Sequence, residues 1–240
     1  MKPRLVARRA RTDTQPVSPI VTGIAAVAGL AIGFMAAGEQ YRLYREEQFR
    51  EERATGRRLR FMRVALGIAM GAVLGIAWRP DHYDAGPALA TSVLLIPLLV
   101  MASTDFERKR LPNRLMYPTI AAAAALSWAW PERSVYDIFL GAGIAVGVGG
   151  GIFVLGEFVG AILGARVTPF GLGDVKLIIL IGLLCGWPAF LTALFIGAIA
   201  AGVPSLALIV TGRSRRALSY GPYLIAGCAL VILWPGRFVP

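Results

Sequence analysis

The chain has 240 residues, 56% of them hydrophobic and only 16% charged, with a formal net charge of +11 and a mean hydropathy of +0.63. A soluble domain carries about 25% charged residues; here the apolar excess falls into runs of membrane-crossing length, so an ordinary soluble fold is excluded, and the basic balance reflects positive-inside loops rather than a nucleic-acid surface. Two cysteines in apolar segments (Cys185 and Cys228) and a single histidine, His82, exclude a disulfide framework and a two-histidine zinc motif, and they confine any Ser-His-Asp triad to His82.

In chain order, the first eighteen residues carry Lys2, Arg4, Arg8, Arg9 and Arg11 and lead into an apolar run over 19–37. This start shares features with a signal peptide, but the apolar run is long for a signal core and fits a retained helix, with its orientation left open. The 39–60 loop follows, its seven arginines interleaved with Glu46, Glu47, Glu51 and Glu52, a pattern of solvated i,i+4 pairs. Further apolar runs cover 61–78, 87–104, 115–130, 138–164, 175–187, 189–211 and 219–235. A helix needs roughly 20 residues to cross about 30 Å of hydrocarbon, and most of these runs reach or approach that length. The 175–187 run is short and precedes Pro188, which suggests a broken helix or one arm of a re-entrant pair, and the 138–164 run is long enough to tilt. None of the runs alternates as a β-barrel strand would. The expectation is an all-α, polytopic bundle of about eight membrane segments with one short or broken. Residues 1–60 form a basic tail, first segment and charged loop, and residues 61–240 form the main membrane domain.

Basic residues sort the loops. Arg108, Lys109, Arg110 and Arg114 crowd the 105–114 loop, Arg166 marks 165–174, and Arg213, Arg215 and Arg216 mark 212–218. The alternate connections carry only Arg79, Arg133 and, in the tail, Arg237. From residue 39 onward, this alternation places the arginine-rich loops in the cytoplasm. The basic start of the chain falls on the other side of that parity.

Two aspartates stand at the ends of apolar runs on the same face. Asp105 lies in Ser103-Thr-Asp-Phe-Glu-Arg-Lys-Arg-Leu-Pro-Asn113, and Asp174 closes Gly171-Leu-Gly-Asp174. A carboxylate at the edge of hydrocarbon is costly and reads as functional by default. Two carboxylates that meet share one proton, so the ionised partner can take a proton from water while the protonated partner donates to a carbonyl. Helix capping is the competing role for each, and spacing alone does not separate it from catalysis. Pro112-Asn113 is a turn that restarts the chain into the next helix. Gly171 and Gly173 let backbone or an extended substrate approach closely. Lys109 and Lys176 stand near the two aspartates, either tuning them by charge or serving as positive-inside anchors.

At these residues the chain resembles the type IV prepilin leader peptidases, membrane aspartic proteases of the Gly-x-Gly-Asp type. Their first motif is an Asp at a helix end followed by a basic stretch and Pro-Asn, here Asp105 to Asn113. The second is Gly-x-Gly-Asp-x-Lys, here Gly171 to Lys176, and Ser219-Tyr-Gly-Pro-Tyr-Leu224 resembles a later Gly-Pro-Tyr/Phe-Leu segment. The resemblance covers about residues 61–235. It implies Asp105 and Asp174 as the catalytic pair of an endopeptidase, with Gly171, Gly173, Lys176, Lys109, Pro112 and Asn113 shaping the site. It also implies cleavage at the cytoplasmic face of a bacterial inner membrane. The implied substrate is a prepilin or pseudopilin with a basic leader ahead of a hydrophobic helix; the bilayer is the other partner, and neither metal nor cofactor is implied. Many members carry Cys-x-x-Cys pairs after the first helix and methylate the new N-terminus. The 39–60 loop has no cysteine, so the resemblance gives no basis for methyl transfer here. Where the first motif usually has Arg two residues after its Asp, this chain has Glu107, a third carboxylate near the pair.

Glycines recur every four residues at 143, 147 and 151, and again at 156, 160 and 164, a spacing of close helix packing in membranes. The cluster lacks the strand, acidic partner and lysine of a nucleotide loop. Glu157 within this stretch is a buried partner for an arginine such as Arg166, or part of a substrate path. His82 reads as a surface residue of the 79–84 loop, and the cysteines as small apolar fillers. An ion or proton transporter using Asp105, Glu157 and Asp174 is the alternative function, although no inverted repeat accompanies it. An inactive scaffold is a third.

Overall fold

The computed structural model describes residues 17–44, 56–80, 84–162, 171–211 and 219–238. The basic tail before residue 17, Glu46, Glu47, Glu51 and Glu52, His82, Gly164 with Arg166, and the arginines of 212–218 lie outside the described residues. Eight α-helices follow in order: α1 Pro19–Glu39, α2 Gly56–Ala77, α3 Ala85–Arg108, α4 Asn113–Ala125, α5 Val135–Ile162, α6 Leu172–Cys185, α7 Ala189–Val210 and α8 Gly221–Leu233. A final turn, α9, covers Pro235–Phe238, and no strand occurs among the described residues. The protein is a polytopic helical membrane protein; among the described residues, five helices are long and apolar enough to cross a bilayer.

Each apolar run of the sequence becomes a helix, with local chemistry setting its ends. Ser18 caps α1, its side chain accepting from the Ile20 N–H at 3.3 Å, with Pro19 in the first turn. The 115–130 run stops early, at Ala125, and continues as a 3₁₀ turn over Ser127–Ala129. The short 175–187 run belongs to an α-helix, Leu172–Cys185, rather than to a broken one. It ends at Gly186, whose φ of 69° suits glycine, and α7 begins three residues later.

The long helices surround two of the three short ones; the third, α4, also has 13 residues. Helices α6 and α8, at 14 and 13 residues, are buried on nearly all sides. They share a core with α3 built from residues such as Leu94, Leu98, Met101, Leu177, Leu180, Ile181, Cys228 and Ile232. A helix apolar all round belongs in such an interior. Two polar side chains of α3, Thr91 and Ser92, are satisfied within the bundle. Trp130 Nε1 donates to Thr91 Oγ1 at 3.1 Å, and Trp78 Nε1 donates to Ser92 Oγ at 2.9 Å.

Helix pairs meet backbone to backbone at small residues. In the α1–α2 seam, a Cβ on Gly29 or Gly33 would lie 2.6 or 2.5 Å from the Met70 or Leu66 carbonyl oxygen. In the α5–α6 seam, a Cβ on Gly141 would lie 2.7 Å from the Gly186 backbone, and one on Gly182 2.7 Å from Ala145 Cβ. The expected stripe of Gly143, Gly147 and Gly151 is not this seam: a Cβ on any of the three meets no described atom within 4 Å. Residues 141, 145 and 149 carry the packing. A shift of two residues turns a helix by about 200°, which puts the regular stripe on the outward face.

Candidate active site

Asp105 lies on the last turn of α3 and is buried. Its backbone carbonyl accepts from Lys109 N at 2.7 Å, closing the helix, and Lys109 takes the left-handed conformation at φ 54°. The side chain does not cap its own helix. Its Oδ2 accepts from the Ser219 hydroxyl and, at 3.1 Å, from the Gly221 N–H at the start of α8. Asp105 therefore satisfies an N-terminal amide of a helix 116 residues further along the chain.

Asp174 occupies the third position of α6 rather than its N-cap, which is Gly171. Asp174 Oδ2 accepts from the Gly171 N–H at 3.0 Å, so the carboxylate closes back on the start of its own helix. Both aspartates thus bond amides at helix N-termini and also line one cavity of about 790 Å³. Capping and exposure to a shared cavity coexist at both positions.

Every site residue expected from the sequence lines this cavity: Lys109, Pro112, Asn113, Gly171, Gly173 and Lys176 beside the two aspartates. Lys176 Nζ donates to Asn113 Oδ1 at 3.0 Å and lies 4.8 Å from the centre of the Tyr117 ring. This contact ties the N-terminal part of α6 to the first turn of α4, and so ties the two motif loops together. Pro112 is the N-cap residue of α4. Gly173 is not tightly crowded: a Cβ there would lie 3.6 Å from Leu111, an ordinary contact.

Glu107 is not a third carboxylate of the pair. It does not line the cavity, because two residues along α3 turn it to the other side of the helix. It accepts from Gln40 Nε2 and lies 3.6 Å from Arg58 and 3.8 Å from Arg108. Glu157 is exposed on α5 and does not line the cavity either. Cys185 and Cys228 are buried and reduced, with their sulfurs 3.7 Å apart.

Sequence reasoning missed three contributors. Tyr44 lines the cavity, and burial pushes its phenol up to about 12, so it keeps its proton at neutral pH. Arg108 stacks over the Tyr44 ring at 4.8 Å. Tyr117 holds Lys176, and Ser219 holds Asp105. The segment from Ser219 was visible as a motif, but nothing local in it pointed to Asp105.

A pair of carboxylates in one cavity can perform acid–base hydrolysis with water as the nucleophile. The sequence model of the Type IV leader peptidase family matches residues 92–206, a stretch containing both aspartates. Among curated proteins, a "Prepilin leader peptidase/N-methyltransferase" of Burkholderia pseudomallei (strain 1026b) is 29% identical over 155 residues, covering 64% of this chain and 48% of that protein. A protein of the same name from Bacillus subtilis (strain 168) is 29% identical over 188 residues, covering 76% of this chain and 70% of its own length. The chain spans about half the length of the Burkholderia relative. No solved structure matches.

Proposed function

We propose that this chain, which belongs to the Type IV leader peptidase family across residues 92–206, is a membrane-embedded aspartic endopeptidase. Asp105 and Asp174 are its catalytic pair, and the observation that carries the reading is their convergence on one cavity from two distant motifs. Peptide hydrolysis needs a base for water and an acid for the carbonyl oxygen, and a carboxyl pair sharing one proton supplies both. Lys109, Pro112, Asn113, Gly171, Gly173 and Lys176 shape the cavity, and residues 61–240 form the peptidase domain. Residues 1–60 flank it and contribute Tyr44 to the cavity wall.

The substrate is a prepilin or pseudopilin, with a basic leader at the cytoplasmic membrane face and a hydrophobic helix in the bilayer. The curated relatives named as prepilin leader peptidases support this substrate class. The orientation rests on charge. Arg108, Lys109, Arg110 and Arg114 crowd the cavity end, whereas Arg79 and Arg133 stand on the alternate connections. A transport route through three acids finds less support, because Glu157 is not at the cavity.

The test is co-expression with a prepilin-type substrate. Asp105→Asn and Asp174→Asn should each reduce leader cleavage by about 10³-fold or more, with the protein still inserted in the membrane. Normal processing by either variant would refute the assignment.

A further inference from the structure

The two carboxylates are held differently. Asp105 Oδ2 receives two donors from one segment, the Ser219 hydroxyl and the Gly221 N–H at 3.1 Å, at the positive end of α8. The segment is moulded to that oxygen: a Cβ on Gly221 would run into Asp105 Oδ2. Among the described residues, Asp174 Oδ2 receives a single donor, the Gly171 N–H of its own helical turn. Donors stabilise the ionised form of a carboxyl, and each one aimed at a charge counts for about twice a neutral hydrogen bond. When one proton is shared, it therefore resides on the carboxyl with fewer donors. Both carboxyls are withdrawn from solvent, Asp105 the more deeply, so the donors and not burial set the assignment.

Resting on the endopeptidase reading above, we propose that Ser219 is a positioning residue that keeps Asp105 ionised, making Asp105 the base and leaving the shared proton on Asp174. Asp105 takes a proton from water as the water oxygen bonds to the scissile carbonyl carbon. Asp174 gives its proton to the carbonyl oxygen, forming a tetrahedral diol. As the C–N bond breaks, the proton on Asp105 passes to the leaving nitrogen and a diol proton returns to Asp174. The new acid and amine leave with the elements of one water, and the pair returns to its starting state. The other charged or titratable groups facing this cavity are Lys176 from α6, Tyr44 after α1, Lys109 and Arg110 from the turn after α3, and Arg114 and Tyr117 from α4. Tyr220, beside Ser219, is exposed.

The experiment measures leader cleavage against pH for the full chain in membranes, with a prepilin-type substrate, in Ser219→Ala, Ser219→Thr and the parent. Loss of the hydroxyl makes Asp105 harder to ionise. The acid limb of the pH profile should therefore move up by about one pH unit in Ser219→Ala, and kcat at neutral pH should fall with little change in KM. Ser219→Thr, which keeps a hydroxyl, should restore the parent profile. If Ser219→Ala does not accumulate, Ser219→Cys replaces it, and its weaker donor should give a smaller shift of the same sign. An unmoved acid limb in a folded variant, or a fall in kcat with no limb shift, overturns the proposal. A parent protein that cleaves no leader, or an active Asp105→Asn, overturns the endopeptidase reading instead.

Discussion

Lys176 shows how much one side chain can do at this site. Its ammonium is fixed at three points: its place at the fifth position of α6, the Asn113 amide oxygen at 3.0 Å, and the Tyr117 ring at 4.8 Å. Lys176 was visible in the sequence as a cation near Asp174, with charge tuning and anchoring both open. The contacts assign it a mechanical role, as a clasp between the α4 and α6 starts. Lys176→Met keeps much of the apolar stem but loses the hydrogen bond and the ring contact. At this partly exposed position the loss should be about 1 kcal/mol, and cleavage should fall roughly tenfold if the two motif loops drift apart. Measuring kcat and KM for that variant, with Tyr117→Leu beside it, checks whether both changes act on the same clasp. Glu107 is the opposite case, since proximity in sequence suggested a third acid at the site and helical geometry turned it away toward Gln40 and Arg58.

At the level of the element, the short buried helices α6 and α8 share one design. Each has a carboxylate on an N-terminal amide, Asp174 on α6 and Asp105 on α8. Each also has a guanidinium at its far end: Arg133 donates to the Leu184 carbonyl of α6, and Arg79 to the Leu233 carbonyl of α8 at 3.3 Å. The ends of helices in a low-dielectric setting need such partners, because no water satisfies them there. Arg79 also stacks on Trp234 at 5.3 Å, and Arg133 on Trp130 at the same distance. The glycines of α5 and α6 allow a sharper check of the packing. Gly182→Leu places side-chain atoms against Ala145 and the Gly141 carbonyl, and should destabilise the protein by about 3 kcal/mol. Gly147→Ala meets no described atom and should leave thermal stability in detergent unchanged within about 0.5 kcal/mol. If Gly147→Ala were the damaging change, the seam would be misassigned.

For the whole molecule, helix length sets the depth of the site. At 14 and 13 residues, α6 and α8 are each about 20 Å long, against roughly 30 Å of hydrocarbon. With arginines at their far ends, their acid-bearing ends fall about 10 Å short of the opposite boundary. The cavity must therefore open through the leaflet to its own face. The proposed orientation makes that face cytoplasmic. A membrane-impermeant thiol reagent should label Leu172→Cys, built in a background lacking Cys185 and Cys228, in inverted membrane vesicles and not in right-side-out ones. The reverse pattern would overturn the orientation.

The number, order and type of the helices follow from hydropathy along the chain, because burying a backbone in lipid needs an apolar run of helical length wherever it occurs. The candidate acids were legible for the same reason, since charge at the end of such a run is conspicuous. Azimuth and distant partners were not legible. Glycine recurs on several faces of α5, so periodicity named a stripe without saying which face meets α6, and the seam proved to be 141, 145 and 149 instead. The Ser219–Asp105 bond joins positions 114 residues apart. No local pattern encodes it, because it arises only when α8 packs against α3 and its unpaired N-terminal amide finds a carboxylate already buried there.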